Sequence, residues 1–408
     1  MNLALKKYES KIGLVLFLLI LIPLIPFFIC FTLLDNPEML QPLLSFAYVL
    51  QLIIFISFIY SSSKNHFPSI ILALIFTCIQ LISIILNSYL GVEYNNLDFI
   101  NILSRAINFA LFFGVIYMCV TNEKQIIIFL KYLLNLTMLA CAYNIISNAE
   151  NILLISNITN SYHVDFKSFF VNRNQFGSFL MVSLIAQFYL WHFNEVKKID
   201  YLKLLFIIVN IILTLSRGAF ITTIVFLAVY FFINRGRRSL YLFLSCLLVL
   251  FLFIVMTNVD LNNIFEKLIR VESGYSGRIG IWQMGIDVAN INLISGVGYF
   301  TGLEIAQFKG FVFDQFHSIY IDSLVSGGFL ELTMLVFLLV FMLVKVMSSN
   351  LDRNLKSIYI SSLIGVMFLG VFESVSFFSI GFVDSLYTIF FISLPLLLMN
   401  SKIENKNT

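Results

Sequence analysis

The chain has 408 residues, of which 60% are hydrophobic and only 12% are charged. A mean hydropathy of +0.96 excludes a soluble globular domain. Apolar runs of about 20 residues recur, each long enough to cross the roughly 30 Å hydrocarbon layer of a bilayer. The net charge of +3 is small and gives no reason to expect a nucleic-acid partner. The class is therefore an all-α polytopic membrane protein.

In chain order, twelve spans are expected, over about 12–34, 44–60, 68–88, 101–120, 125–147, 176–193, 203–216, 217–233, 239–257, 325–345, 357–372 and 383–399. The first follows MNLALKKYESK without a small-residue cleavage site, and reads as an uncleaved helix. Residues 201–233 hold no strong breaker except Ser216-Arg217-Gly218. A single helix of that length would be about 50 Å long, too long for one bilayer, so two short spans joined by a tight turn are expected there. Lys and Arg then fall mostly on one side of the alternating loops, among them Lys6, Lys7, Lys64, Lys124, Lys197, Lys203, Arg235, Lys345, Arg353 and Lys402. The positive-inside rule makes that side, with both termini, cytoplasmic. The opposite side carries Arg105, Lys167, Arg173, Arg217, Lys267, Arg270, Arg278 and Lys309. The chain reads as a single membrane domain without internal repeats.

Two outward segments are substantial, 148–175 and 258–324. Within the second, Ile279, Trp282, Ile286 and Val288 recur at roughly helical spacing. Residues 278–290 therefore read as a short amphipathic helix that lies on the membrane surface or caps the bundle. Gly296, Gly298 and Gly302 mark a turn after it.

Arg217 lies between two apolar runs. A guanidinium at such a place is either functional or snorkels to lipid head groups. Arg278 and Arg270 offer planar forks of donors suited to phosphate oxygens, though a loop arginine is commonly just solvated. Arg173 stands in VNRNQFGSF among Asn172, Asn174 and Gln175, amides that suit sugar hydroxyls but also cap helices. His317, beside Asp314 and close to Asp322, can act as a general base toward a hydroxyl or be a structural helix-start residue. Glu373 ends the eleventh span, where it can pair with an outward arginine or face a substrate cavity. Cys30, Cys78, Cys119, Cys141 and Cys246 lie in or at the ends of apolar runs without metal-ligand spacing, and the scattered His residues form no such pair either. No glycine-rich nucleotide loop is present, so any energy for a reaction has to arrive inside the substrate.

Three segments together, LTLSRGAFITTIVF (213–226), SGRIGIWQMGIDVANINLISGVGYF (276–300) and FHSIYIDSLVSGGFLEL (316–332), resemble the core of the O-antigen polymerase and O-antigen ligase superfamily; VNRNQFGSF is a weaker fourth match. Many members write His-Asn where this chain has His317-Ser318, which leaves the histidine but not the asparagine. The resemblance implies a GT-C-like bundle in the bacterial cytoplasmic membrane, working without nucleotide, metal or other cofactor. Its substrates would be glycans linked to undecaprenyl pyrophosphate, drawn from among the membrane lipids, with a chain-length regulator as a candidate partner. It further implies that Arg217 and Arg278 hold the pyrophosphate leaving group and that His317 serves the acceptor hydroxyl. Arg173, Arg270, Asp314 and Glu373 would line the substrate site. Polymerase is the favoured reading, with ligase as its alternative. A polysaccharide flippase is a third, since it too has about twelve spans; but transporters usually show paired repeats and broken helices, and neither is evident here.

Overall fold

A computed structural model describes residues 67–89, 95–109, 123–153, 166–194, 196–234, 278–313, 315–374 and 382–400, with Gly91 and short pieces among residues 21–53. The described elements are all helical. We label the main ones α1 (Phe67–Tyr89), α2 (Asn96–Phe109), α3 (Glu123–Ser147), α4 (Arg173–Phe193), α5 (Lys198–Leu213), α6 (Arg217–Asn234), α7 (Arg278–Ala289), α8 (Tyr299–Phe308), α9 (Ile319–Ser348) and α10 (Arg353–Phe372). A last helix starts as Phe382–Thr388, widens into a π-turn over Ile389–Ser393 and continues as Leu394–Asn400. Among the described residues, five helices are long and apolar enough to cross a membrane: α3, α4, α6, α9 and α10.

The expected spans at 68–88, 125–147, 176–193, 217–233, 357–372 and 383–399 all correspond to observed helices, shifted by a few residues at their ends. The one at 239–257 lies outside the described residues, as do most of 44–60 and parts of 12–34 and 101–120, so the count of twelve extends beyond them. The break expected near Ser216 is present. α5 stops at Leu213, Leu215 takes a left-handed φ of 51°, and α6 starts at Arg217. The Thr214 side chain secures this turn, donating to the Ile211 carbonyl (2.7 Å) and accepting from the Ser216 N–H (3.2 Å).

α4 is the central helix. Every residue from Phe176 to Leu190 is buried, which explains why its sequence is apolar on all sides rather than along one stripe. Association of helices in lipid depends on close packing by small residues. A methyl group at Gly177 would sit 2.8 Å from the Ala219 Cβ, so α4 and α6 touch almost backbone to backbone. On α10, Gly365 lies against Thr222.

The same three helices are joined by side chains at the far end of the bundle. Asn354 at the start of α10 accepts from the Tyr230 hydroxyl (2.8 Å) and the Asn234 amide (3.0 Å), and its own amide lies 3.3 Å from His192 Nδ1. These partners sit near the C-termini of α6 and α4. α10 is therefore antiparallel to both, and its C-terminus meets the N-termini of α4 and α6. An 18-residue helix such as α6 spans about 27 Å, so the two ends lie a bilayer's thickness apart.

Two expectations need correction. The tenth span was placed at 325–345, but α9 already begins at Ile319, because Asp322 and Ser323 are buried in protein rather than exposed in a loop. And α9 is a broken helix, which is not evident in the sequence: Gly327 (φ −130°) and Gly328 (φ 65°, ψ −158°) interrupt it, Gly328 in a conformation that glycine alone adopts freely. The segment 293–298 takes up the backbone groups freed by the break. Phe329 and Leu330 donate to the carbonyls of Leu293 (2.9 Å) and Ile294 (3.1 Å), while Val297 and Gly298 donate to those of Val325 (2.8 Å) and Ser326 (3.2 Å). A chain crossing lipid has to satisfy these groups internally.

The segment 293–301 is consequently docked rather than free. Asp98 accepts from the Phe300 and Thr301 N–H groups (both 2.9 Å) at the start of α8, and the Asn87 amide donates to the Gly296 carbonyl (2.9 Å). The helix expected over 278–290 is present as α7, with Met284, Gly285, Val288 and Ala289 buried against the rest of the protein.

A buried ion pair locks the region beside the break. Arg105 Nη1 lies 2.9 Å from Glu331 Oε1 and 3.2 Å from the Ser326 hydroxyl, with the Arg105 and Glu331 side chains only 10% and 4% exposed. Arg105, expected to be an outward charge, is instead a structural partner of α9. Removing one member of such a pair strands the other charge. Arg105→Ala and Glu331→Ala are each expected to destabilise the protein by about 3–5 kcal/mol, whereas the apolar double variant Arg105→Met/Glu331→Leu recovers most of that loss. Thermal unfolding in detergent checks the order of the four proteins.

Candidate functional site

Where α10 ends, Glu373 becomes the point at which four other helices meet. Its carboxylate Oε1 accepts from Arg278 Nη2 at 3.2 Å, at the first residue of α7. Its Oε2 accepts from the Asn174 amide at 3.3 Å, at the start of α4. Gly218 at the start of α6 is so close that an added Cβ would lie 3.1 Å from Glu373 Cγ. The Glu373 carbonyl accepts from the N–H of Ile319, the first residue of α9, at 3.2 Å.

Helix N-termini carry partial positive charge and unsatisfied N–H groups. Three of them, on α4, α6 and α7, therefore face one carboxylate, while the first N–H of α9 is taken by the Glu373 main-chain carbonyl. Arg173, Arg217 and Arg278 begin three of these helices and are all half-buried. The Glu373 side chain is only 7% exposed. Burial pushes its carboxyl above the ordinary range, and Arg278, Asn174 and Arg173 pull it back toward the ionised form. The surroundings are strongly positive, which suits an anionic group of more than one charge.

His317 lies two residues before Ile319 and is fixed from both sides. Before it, Phe316 is fully buried and sits against Gly285 of α7. After it, the Ser318 hydroxyl donates to the Gly370 carbonyl at 3.2 Å. His317 itself is half-buried with a left-handed φ of 55°. Only Ser168 and Leu215 share that conformation among the described non-glycine residues. Ser168 and Leu215 precede helices that carry a site residue, α4 and α6, and His317 is itself one, just before α9. Backbone strain held by its surroundings is a mark of functional positions.

For Ser168 the restraint is visible. Its N–H donates to Asn144 Oδ1 (3.1 Å), its hydroxyl donates to the Ala140 carbonyl (2.8 Å), and the fully buried Asn144 amide donates to Asn210 (3.0 Å). Stacked rings at Phe169, Phe170 and Phe176 pack the same connection.

The sequence-derived candidates thus divide. Arg173, Arg217, Arg278, His317 and Glu373 come together at one end of the bundle. Arg270 and Asp314 lie outside the described residues. Of the two amides, Asn172 takes the expected capping role by accepting from the Gln175 N–H (2.9 Å), whereas Asn174 donates to the Glu373 carboxylate. Asp322, near His317 in sequence, is buried beside Ser374 and the Phe316 backbone. Among the described residues, no group of three His, Cys, Asp or Glu side chains is arranged to hold a metal ion. The sequence reading missed Gly177 and Gly218 as the residues that let the arginine-bearing helix starts approach. Their signal was only a small residue one or a few places after an Arg.

Residues 202–336 match a family model described as O-antigen ligase. Over those residues the chain is similar to membrane enzymes of the O-antigen ligase and polymerase type, consistent with the resemblance carried by its three motifs. The match includes Arg217, Arg278 and His317, and leaves Arg173, Asn174 and Glu373 outside it. No curated protein matches the chain.

Because Gly177 leaves no room for a larger side chain against Ala219, Gly177→Val is expected to push α4 from α6 and destabilise the protein by about 1–3 kcal/mol. Chemical denaturation in detergent, compared with the same exchange at open Gly280, checks this.

Proposed function

We propose, from the match to the O-antigen ligase family, that this chain is a surface-polysaccharide polymerase. It would join oligosaccharide repeat units carried on undecaprenyl pyrophosphate at the extracytoplasmic face of the bacterial cytoplasmic membrane. The observation that carries the reading is the convergence of Arg173, Arg217, Arg278 and the His317 turn around Glu373.

In this reading Arg217 and Arg278 bind the donor's pyrophosphate. Charge grows on that group as its bond to the anomeric carbon breaks, and preorganised cationic donors stabilise such charge most. His317 takes the proton of the acceptor hydroxyl as its oxygen attacks the anomeric carbon from the opposite side, inverting the configuration. Undecaprenyl pyrophosphate leaves, and the glycan remains on the acceptor's own carrier. Arg173 positions glycan or phosphate, and the lipid tail enters between helices. The energy is carried in the donor's glycosyl–phosphate bond. A chain-length regulator is a partner that fits such a polymerase. The placement of lysines and arginines supports an outward site with both termini cytoplasmic.

The second reading is a ligase, which transfers finished polymer to lipid A–core; it is favoured by the description of the matching family. Both use the same donor chemistry. A gel profile of surface glycan in a deletion strain, set beside the glycan retained on the carrier lipid, separates them. Single repeat units on the final acceptor without a ladder are expected for a polymerase; long polymer stranded on the carrier would overturn that choice in favour of the ligase.

Arg217→Ala and Arg278→Ala are each expected to abolish the ladder while the protein still inserts, as judged by membrane fractionation and immunoblot. His317→Ala is expected to cost about a hundredfold or more in turnover. A near-normal rate would leave His317 a purely structural residue.

A further inference from the structure

We infer that Glu373 is a positioning residue and counter-charge for the arginine cluster, holding Arg278 in place and competing with an incoming diphosphate for it. The inference rests on the proposed function in taking a diphosphate as the site's ligand. It goes beyond the family match, which ends before this residue.

The geometry argues against direct substrate contact by Glu373. Both carboxylate oxygens are occupied by protein groups, Oε1 by Arg278 and Oε2 by Asn174, and the side chain is 7% exposed. Arg278 is different: 23% of its side chain remains exposed, so the guanidinium can receive an anion while one of its nitrogens stays with Glu373. The Glu373 side chain also ties Arg278 to the start of α6, through its proximity to Gly218, while its main-chain carbonyl separately accepts from the Ile319 N–H just after His317. A carboxylate at this point therefore fixes the direction of the guanidinium.

It also tempers the field. Arginines 173, 217 and 278 and three helix N-termini would bind a diphosphate tightly before the reaction and hold it equally tightly afterwards. A single negative charge among them lowers affinity for both states and favours departure of the leaving group, while the aimed guanidinium keeps its advantage in the transition state.

The protein carries its own reporter. Trp282 follows Arg278 by four residues, on the same face of α7, and its ring lies 6.3 Å from that of Phe372, the residue before Glu373. Of the chain's two tryptophans the other is Trp191, so Trp191→Phe leaves Trp282 alone. The experiment titrates full-length Trp191→Phe protein in lipid nanodiscs with inorganic pyrophosphate and follows Trp282 emission, with turnover of the native lipid-linked donor measured in parallel.

A saturable response is expected. Adding Glu373→Gln should tighten pyrophosphate binding at least about threefold, by an amount that shrinks with added salt, and should lower turnover about tenfold or more. Glu373→Asp, which keeps the charge, should return the affinity to that of the parent. Weaker or unchanged binding in Glu373→Gln overturns the inference and leaves the proposed function standing. Absence of any saturable response in the parent overturns the diphosphate reading, and the inference with it. Should Glu373→Gln fail to insert, Glu373→Met, similar in length and uncharged, is read by the same outcomes.

Discussion

The constraint on which the rest of the structure depends is one buried glutamate, whose carboxylate lies among the starts of three helices and whose main-chain carbonyl accepts from the start of a fourth. Glu373 would be costly alone in a low-dielectric surrounding, and the helix ends with their arginines would repel one another without it. Together they form a compact polar junction at one end of an apolar bundle. The junction brings residues from distant parts of the chain, 173–174, 217–218, 278, 317–319 and 373, into a common volume. The small residues beneath it make this possible, because Gly177 against Ala219 and Gly365 against Thr222 let the helices approach until their ends meet.

A second polar lock serves a different purpose. The break at Gly327–Gly328 frees backbone groups that lipid cannot satisfy, and the segment 293–298 supplies their partners. Arg105 and Glu331, with Asp98 and Asn87 nearby on α2 and α1, fasten this arrangement. Its functional consequence is indirect. α7 can present Arg278 to Glu373 only because the chain that follows it is held against α9. The α7–α8 unit has its own small apolar cluster, built around Val288, Val297, Phe316 and Val325, which couples it to the turn bearing His317.

Much of the site was legible before the fold. Arg217, Arg278 and His317 stood out because charge is rare in this composition, Arg173 because it stands among amides just before the sixth span, and Glu373 because it ends the eleventh. What could not be read was which cation faces which anion. Arg105 looked like one more outward charge and is instead buried against α9. Asn172 and Asn174 looked equivalent, and only one reaches the site. The broken helix was also hidden, since Gly-Gly in an apolar run is compatible with a continuous helix until another segment offers hydrogen bonds that reward the break.

Sequence alone determined the all-helical membrane class, the position of most described spans and the turn before Arg217. Those properties follow from hydropathy, length and local backbone preference, which act within one stretch of chain. Tertiary structure alone decided that five candidate residues share one end of the bundle, that the segment after Arg278 is docked, and that Glu373 holds the junction. Such facts depend on contacts between residues distant in sequence, such as Asn174 and Glu373, 199 positions apart. Their energies come from burial and pairing, and neither exists until the helices have packed.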